Sequence, residues 1–555
     1  MAILDKFKYE IDTPGWRQMS PVETAHAAGS LLCCDKRNDQ QCDHGLWNIA
    51  SATTLHKWNA RYNGNILVGS PALAAFAAGG EAVFVPSMGV SGTIGVGSTT
   101  TKIITATATV LGSAIAAVGL NQFVTTDTDY GYHIRIINKV TGKTEERFIR
   151  GNTASATPTI YLDGPLLNAP NNGDLFEIQA GGVFMIAATT TAVGQSRHYS
   201  LATNAFANAG AIGVTTATAA SMVALDELYV PYNRKTGEGF LIGASTYDSS
   251  YTSAINGEVI DESKGCLLAT AAAATSITGQ ATAGDAAVLA NEYRNFQIRI
   301  VEDTTNVTAV GQRRIIQSHT AGASAVYTVA TWTVTPSASA KFVIENPNLI
   351  LLQSAAQAGM LTYNYNTYTV TNATPTTITA FTWSSTYFNA THTAAVAAGT
   401  MAFPCYGHQP QTQTDGSRLS RHSYVWFFRG GATTLDRFDM AGAANGLWSD
   451  NVTYSGTTTT FTAGTCGDYD PVTFLGEYAY INLNGTNLML QFNVSAASLV
   501  PWVKAPLQSG TAAVGRRICV TSHVADRNSV SDDKLAMIYL QTHLGTIMYR
   551  SDITG

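Results

Sequence analysis

One short phrase occurs twice in this chain. Residues 435–439 read LDRFD and residues 489–493 read MLQFN, each after an apolar run and before a small polar turn and a tryptophan. Phe438-Asp439 leads to Trp448 and Phe492-Asn493 leads to Trp502, over the same Phe-to-Trp interval. A unit recurring at about fifty residues cannot bury its own apolar faces, so copies must stack on one another. The second copy, EYAYINLNGTNLMLQFNVSAASLVPW, divides into strands at Asn484-Gly485, and Asn-Gly between alternating apolar runs is the strongest short hairpin signal. The first copy divides at Gly430-Gly431. Looser copies lie at 55–70 around Trp58, at 227–245 and at 349–370, and KLAMIYLQTHLGTIMYRSDITG repeats the first half with Tyr549-Arg550 at the Phe-Asn place.

The expected fold is all-β, because β-branched and aromatic runs bounded by Gly, Asn, Asp or Pro recur along the whole chain and helical periodicity is scarce. Small antiparallel sheets at this period predict a β-propeller of six or seven blades. Phe438 and Phe492 would lie in the layers between blades. Asp439 and Asn493 would close turns on their own backbone. The last blade shows two convincing strands, so the segment around Trp16 is expected to complete it and remove an exposed edge.

A second repeat is nested in the first. Residues 132–178 and 296–344 both contain aromatic-x-Ile-Arg-Ile, then an Arg followed by two apolar residues, a Thr/Ala-rich turn, a strand and a proline. Ile134 matches Ile298, Arg147 matches Arg314, and Pro170 matches Pro336. Two related β-sandwich-like modules are expected at 92–182 and 266–346, dividing the propeller into 1–91, 183–265 and 347–555. They are expected to project from the ring and to mediate contacts between subunits.

The aromatic-Asp, small turn, Trp wording of TTLDRFDMAGAANGLW resembles kelch-type propellers. The second module's Gly311-Gln312-Arg313-Arg314-Ile315-Ile316, with Trp332 and Pro336 beyond, resembles a segment common in tailed-bacteriophage structural proteins. The first module departs from it, with Gly142-Lys143-Thr144-Glu145-Glu146-Arg147 and no Trp. The combination is similar to the tail nozzle proteins of short-tailed phages. That resemblance implies a non-enzymatic virion tail component, assembled in the host cytoplasm as a homo-oligomeric ring (a hexamer). It would contact adaptor and tail-fibre proteins and let DNA pass without sequence-specific binding. The alternative function is a propeller that binds or cleaves host-surface glycans.

The rest of the sequence is compatible with a structural role. Charged residues are 13 %, about half of the roughly 25 % usual in soluble domains, so the surface carries little charge to keep copies apart. Net charge is −6 and no long Lys/Arg run offers a nucleic-acid stripe. Charges near the N-terminus argue against Sec export, and no apolar run is long enough for a helical span. No ordered catalytic set, nucleophile elbow or phosphate loop occurs, and no cofactor is expected. Cys33, Cys34, Cys42 and His44 make only half of a structural zinc pattern. Asp127/Asp129 and Asp468/Asp470 offer oxygen ligands without a full calcium loop. Cys405-Tyr406 with His408 reads as an ordinary loop, and Asp226 and Glu227 as turn residues.

Overall fold

The computed structural model describes residues 16–18, 25–26, 30–34, 45–51, 53–59, 64–71, 81–85, 90–110, 113–124 except 116, 132–187 except 180–181, 195–200, 205–211, 221–224, 267–279, 290–345 except 292 and 323, 348–352, 360–364, 400–407, 422–439, 443–470 except 445 and 463, 478–502 except 485, 487, 494 and 495, 517–524, 534–541 and 548–552. The described chain is all β, apart from one short 3-10 turn.

Strand β1 (Trp16–Gln18) is paired far along the chain, as described below. Sheet I is a meander of β2 (Leu31–Cys34), β3 (Gly45–Ser51), β4 (Thr54–Asn59) and β5 (Gly64–Gly69). Sheet II opens with β6 (Glu81–Val85) and is then interrupted. The interruption holds β7 (Val90–Ile94), β8 (Lys102–Val110), β9 (Ser113–Ala114), β10 (His133–Ile137), β11 (Thr144–Asn152), β12 (Thr159–Leu162) and β13 (Leu175–Gln179). Sheet II resumes with β14 (Gly182–Ala187), β15 (Gln195–Ser200) and β16 (Ala205–Ala211), and Gly182 lies opposite Val85 as though no insertion intervened. Sheet III is built the same way. After β17 (Ser221–Ala224) come β18 (Leu267–Ala273), β19 (Ser276–Gly279), β20 (Gln297–Glu302), β21 (Arg313–His319), β22 (Val326–Val329) and β23 (Lys341–Glu345). Then β24 (Asn348–Leu352) pairs with β17 and with β25 (Met360–Asn364). Each insertion therefore falls between the first and second strands of its sheet.

Sheet IV is β26 (Met401–Gly407), β27 (His422–Phe428), β28 (Leu435–Asp439) and β29 (Leu447–Val452). Sheet V has β31 (Cys466–Asp470), β32 (Tyr478–Asn482), β33 (Met489–Asn493) and β34 (Ser498–Pro501), with the short β30 (Ser455–Gly456) parallel to β34. Sheet VI is β35 (Arg517–Val524), β36 (Lys534–Gln541) and β37 (Met548–Asp552), and β1 is its fourth strand. Trp16 faces Ser551, Arg17 faces Arg550 and Gln18 faces Tyr549.

One edge strand of each of the six sheets neighbours the next in a closed succession: β2 with β6, β6 with β17, β17 with β26, β26 with β31, β31 with β35, and β35 with β2. Because side chains alternate across a strand, one sheet can offer an apolar set to each of two neighbours, as sheet V does. Sheet V gives Ala479, Ile481, Leu490 and Phe492 to a cluster with Phe403, Trp426 and Phe428 of sheet IV. It gives Tyr480 and Met489 to a cluster with Ile518, Val520 and Ile538 of sheet VI. Sheets I and II share Leu31, Trp47, Ile49, Phe84 and Met185. Phe492 is fully buried, with ring centroids 4.9 Å from Phe428 and 5.3 Å from Trp426, both edge-on. Phe492→Ala should lower unfolding stability by about 3–5 kcal/mol, the usual cost of an aromatic-sized core cavity. Denaturant titration checks this value.

Closed pairing characterises the two modules, in place of the sandwich expected from sequence. In the second, β18-β19-β22-β21-β20-β23 form a closed barrel. In the first, β8 pairs with β12 as well as with β7, which gives the same circuit, β7-β8-β12-β11-β10-β13. The physical gain over two facing sheets is that closure removes free strand edges. Register agrees too: Ile134 lies between Arg147 and Ile178, and Ile298 between Arg314 and Ile344.

Candidate functional site

The Ile-Arg-Ile strands determine what the modules present to each other. In β10 and β20 the isoleucines point into the barrels, where Ile134, Ile136, Ile298 and Ile300 are buried. Alternation sends Arg135 and Arg299 outward, yet they are only 9 % and 6 % exposed, because the two modules cover each other there. Glu177 of β13 lies among them. Its Oε2 accepts a hydrogen bond from Arg299 Nη1 at 3.1 Å and lies 3.9 Å from Arg135 Nη1, while its Oε1 is 3.7 Å from Arg313 Nη2. Burial alone would raise the Glu177 pKa, but Arg299, Arg313 and Arg135 together outweigh it and hold the carboxyl below its ordinary value. Gly142, at φ +69°, abuts the Asp303 backbone, and a Cβ there would overlap the Asp303 carbonyl. One carboxylate with three guanidiniums and a glycine contact thus joins the first module to the second.

Matched polar tethers shape both modules. Arg147 Nε donates to Pro165 O at 3.0 Å, and Arg314 Nε donates to Thr331 O at the same distance. Asn138 Oδ1 accepts from Val140 N and Thr141 N, and Asp303 Oδ1 accepts from Thr305 N and Asn306 N, closing equivalent turns. Pro170 and Pro336 both lie in the connection leading to the last strand of their module. Gln312, from the Gly-Gln motif, accepts from Thr333 N and Val334 N and donates to Val334 O, clamping that connection in the second module. His319 is a core residue: its Nε2 accepts from Tyr293 N and its ring stacks on Tyr293, with burial pushing its pKa down.

Phe438 and Phe492 have different neighbours. Phe438 joins Val425 and Phe427 in a cluster with the second barrel's core, so that barrel is seated on sheet IV. Asn295 of the barrel also donates to Ala443 O at 3.3 Å. Trp448 is the cross-strand partner of Phe438, whereas Trp502 follows β34 and meets Tyr480, facing sheet VI. The shared Phe-to-Trp interval marks different places because the connection between the paired strands differs in length: Asp439 pairs with Leu447 across residues 440–446 in sheet IV, and Asn493 pairs with Ser498 across residues 494–497 in sheet V. Gly446, at φ +72°, lies against the Phe438 ring, where a Cβ would collide with it. Asn493 Oδ1 accepts from Ala496 N in the next turn. Trp16, Trp58, Asp439 and Tyr549 have backbone places in β1, β4, β28 and β37, and their side chains lie outside the described residues.

A separate polar cluster lies where sheets I, V and VI meet. One ligand atom each from Cys34, Asp468 and Cys519 lie within 4.8 Å of one another. Glu81, on β6, feels Arg517 and Asp468, and burial pushes its carboxyl up to about 7. Of the other ligand readings from sequence, Cys42, His44, Asp127, Asp129, Asp226, Glu227 and His408 lie outside the described residues, as does the hairpin at 227–245. The alternation of Ile-Arg-Ile and the spacing of cysteines on distant strands are visible in the sequence. What covers the arginines and which cysteines meet are tertiary facts.

No protein-family model matches the chain, and no curated protein matches it. Among solved structures, it is similar at 8 % identity and a TM-score of 0.22 to an α-L-arabinofuranosidase of Fusarium graminearum, solved with an iminosugar inhibitor; the match covers 67 % of this chain and 89 % of that one. An auxiliary nutrient binding protein from Bacteroides thetaiotaomicron is similar at 10 % identity and a TM-score of 0.19, over 83 % of each chain. Likeness at this level carries no functional argument.

Proposed function

We propose that the chain is a structural protein of a bacteriophage tail, a six-bladed β-propeller that assembles with copies of itself into a nozzle-type ring through which DNA passes. The observation that carries the propeller is the closed succession of edge strands, β2 through β35 and back to β2, with β1 completing sheet VI. The two modules support a scaffolding role: they repeat one pairing circuit, enter neighbouring sheets at the same place, and are tied together by a buried ion cluster. On the first module, Val96, Leu120, Val140 and Leu167 are 72–83 % exposed, which supplies apolar area for contact with another subunit or a virion partner. A chain with 13 % charged residues loses little on desolvating such a surface.

The test is the size and shape of the purified protein, by light scattering and negative-stain imaging, alongside polysaccharide binding and cleavage assays. Rings of identical subunits with no glycan activity are the expected result. A monomer that binds or hydrolyses host-surface polysaccharide would overturn the proposal in favour of a glycan-acting propeller.

A further inference from the structure

We propose that Cys34, Cys519 and Asp468 form a binding site for a thiophilic divalent cation of the zinc class, stapling sheets I, V and VI together. The three residues come from β2, β35 and β31, edge strands of those sheets, and both cysteines are 1 % exposed. Strand alternation explains the convergence. Cys33 turns into the apolar cluster shared by sheets I and II, so Cys34 turns the other way. Ile518 and Val520 face sheet V, so Cys519 faces the other way, toward Cys34, and the Asp468 side chain reaches the pair from sheet V along the β35 backbone, where its Oδ2 accepts from Val520 N.

The donor set is chemically suited to such an ion. Two thiolates and a carboxylate are preferred by zinc, and three protein ligands leave a fourth tetrahedral position for water. Around zinc, with metal–sulfur bonds of about 2.3 Å, ligand atoms lie about 3.8 Å apart. The observed spread of up to 4.8 Å closes to that by a shift of about an ångström. The carboxylate is already oriented: Asp468 Oδ2 accepts from Val520 N at 2.7 Å and Oδ1 accepts from Tyr469 N at 2.9 Å. Cys34 Sγ donates to Val520 O at 3.0 Å. On binding, both thiols give up their protons to solvent and that hydrogen bond is exchanged for a metal–sulfur bond, with no change of oxidation state.

Cobalt(II) titration of the reduced full chain tests the site. One equivalent should bind and produce a near-ultraviolet sulfur-to-cobalt charge-transfer band with the visible bands of tetrahedral cobalt. Zinc should displace it and raise the unfolding temperature. Cys34→Ser and Cys519→Ser should each weaken binding by at least about tenfold, as should Asp468→Asn, which retains both thiols and covers the case of a serine variant that does not fold. Cys33→Ser should leave the band intact. Absence of the band, its persistence in both Cys34→Ser and Cys519→Ser, or recovery of a Cys34–Cys519 disulfide from the unreduced protein would overturn the proposal. None of these outcomes bears on ring formation, so the metal site and the tail assignment stand or fall separately.

Discussion

Glu177→Gln is expected to be among the most destabilising substitutions of a single polar side chain in this protein, lowering stability by about 3–5 kcal/mol. The carboxylate lies within ion-pair distance of Arg299, Arg313 and Arg135, and its loss leaves three largely buried guanidiniums facing one another without it. Glutamine keeps the volume, so the loss is electrostatic rather than a cavity. Calorimetry of the variant should show the modules unfolding earlier than sheets I, II, V and VI, whose apolar clusters are separate from the barrel core that sheet IV shares. An unfolding profile superimposable on that of the parent would show that the modules are held together by other contacts.

The same carboxyl gives a pH dependence with a definite sign. Its pKa in the folded protein is below the ordinary 4.5, so folding favours the ionised form. The stabilisation is present in full above the ordinary carboxylate range and is lost as pH falls through the lower folded value. The parent should therefore lose module stability in acid more steeply than Glu177→Gln, and the two curves should converge at the acid end. Thermal scans at stepped pH measure the difference in slope.

The parts of this architecture visible in the sequence are those encoded locally. Asn484-Gly485 and Gly430-Gly431 mark hairpins because turn chemistry depends on a few adjacent residues. The module repeat is visible because Ile134/Ile298 and Arg147/Arg314 occupy equal places in one pairing circuit, and both arginines hold the same kind of carbonyl. Legibility ends where partners are distant in sequence. An outward arginine in Ile-Arg-Ile has the same local pattern whether water or another module covers it, so Arg135, Arg299 and Glu177 carry no local mark of their contact. Cys34 and Cys519 are likewise unremarkable until the strands bearing them are brought together. The closed circuits also depend on non-local pairings that no local pattern marks, β8 with β12 in the first module and β19 with β22 in the second. The matched Phe-to-Trp intervals misled for the opposite reason: the spacing in sequence is equal while the connection between the paired strands is longer in sheet IV than in sheet V.

Removing residues 1–18 should open the structure where the two ends of the chain meet. Strand β1 contributes three paired positions to β37, and at roughly 1 kcal/mol per net hydrogen bond the direct loss is about 2–3 kcal/mol. The topological loss is larger. Pairing β1 with β37 ties the first strand to the last, so without it β37 becomes an exposed edge able to recruit a strand from another chain. The truncated protein should unfold at lower temperature and aggregate through that edge. The converse experiment uses Trp16→Cys with Ser551→Cys, whose backbones lie directly opposite each other. An unstrained disulfide there would close a loop spanning nearly the whole chain, with a chain-entropy stabilisation of about 6 kcal/mol as an upper figure. Oxidation should raise the unfolding temperature of this double variant and reduction should reverse the gain. If the truncation unfolded like the parent and the cysteines failed to cross-link, the β1–β37 pairing would not be what holds these two segments together.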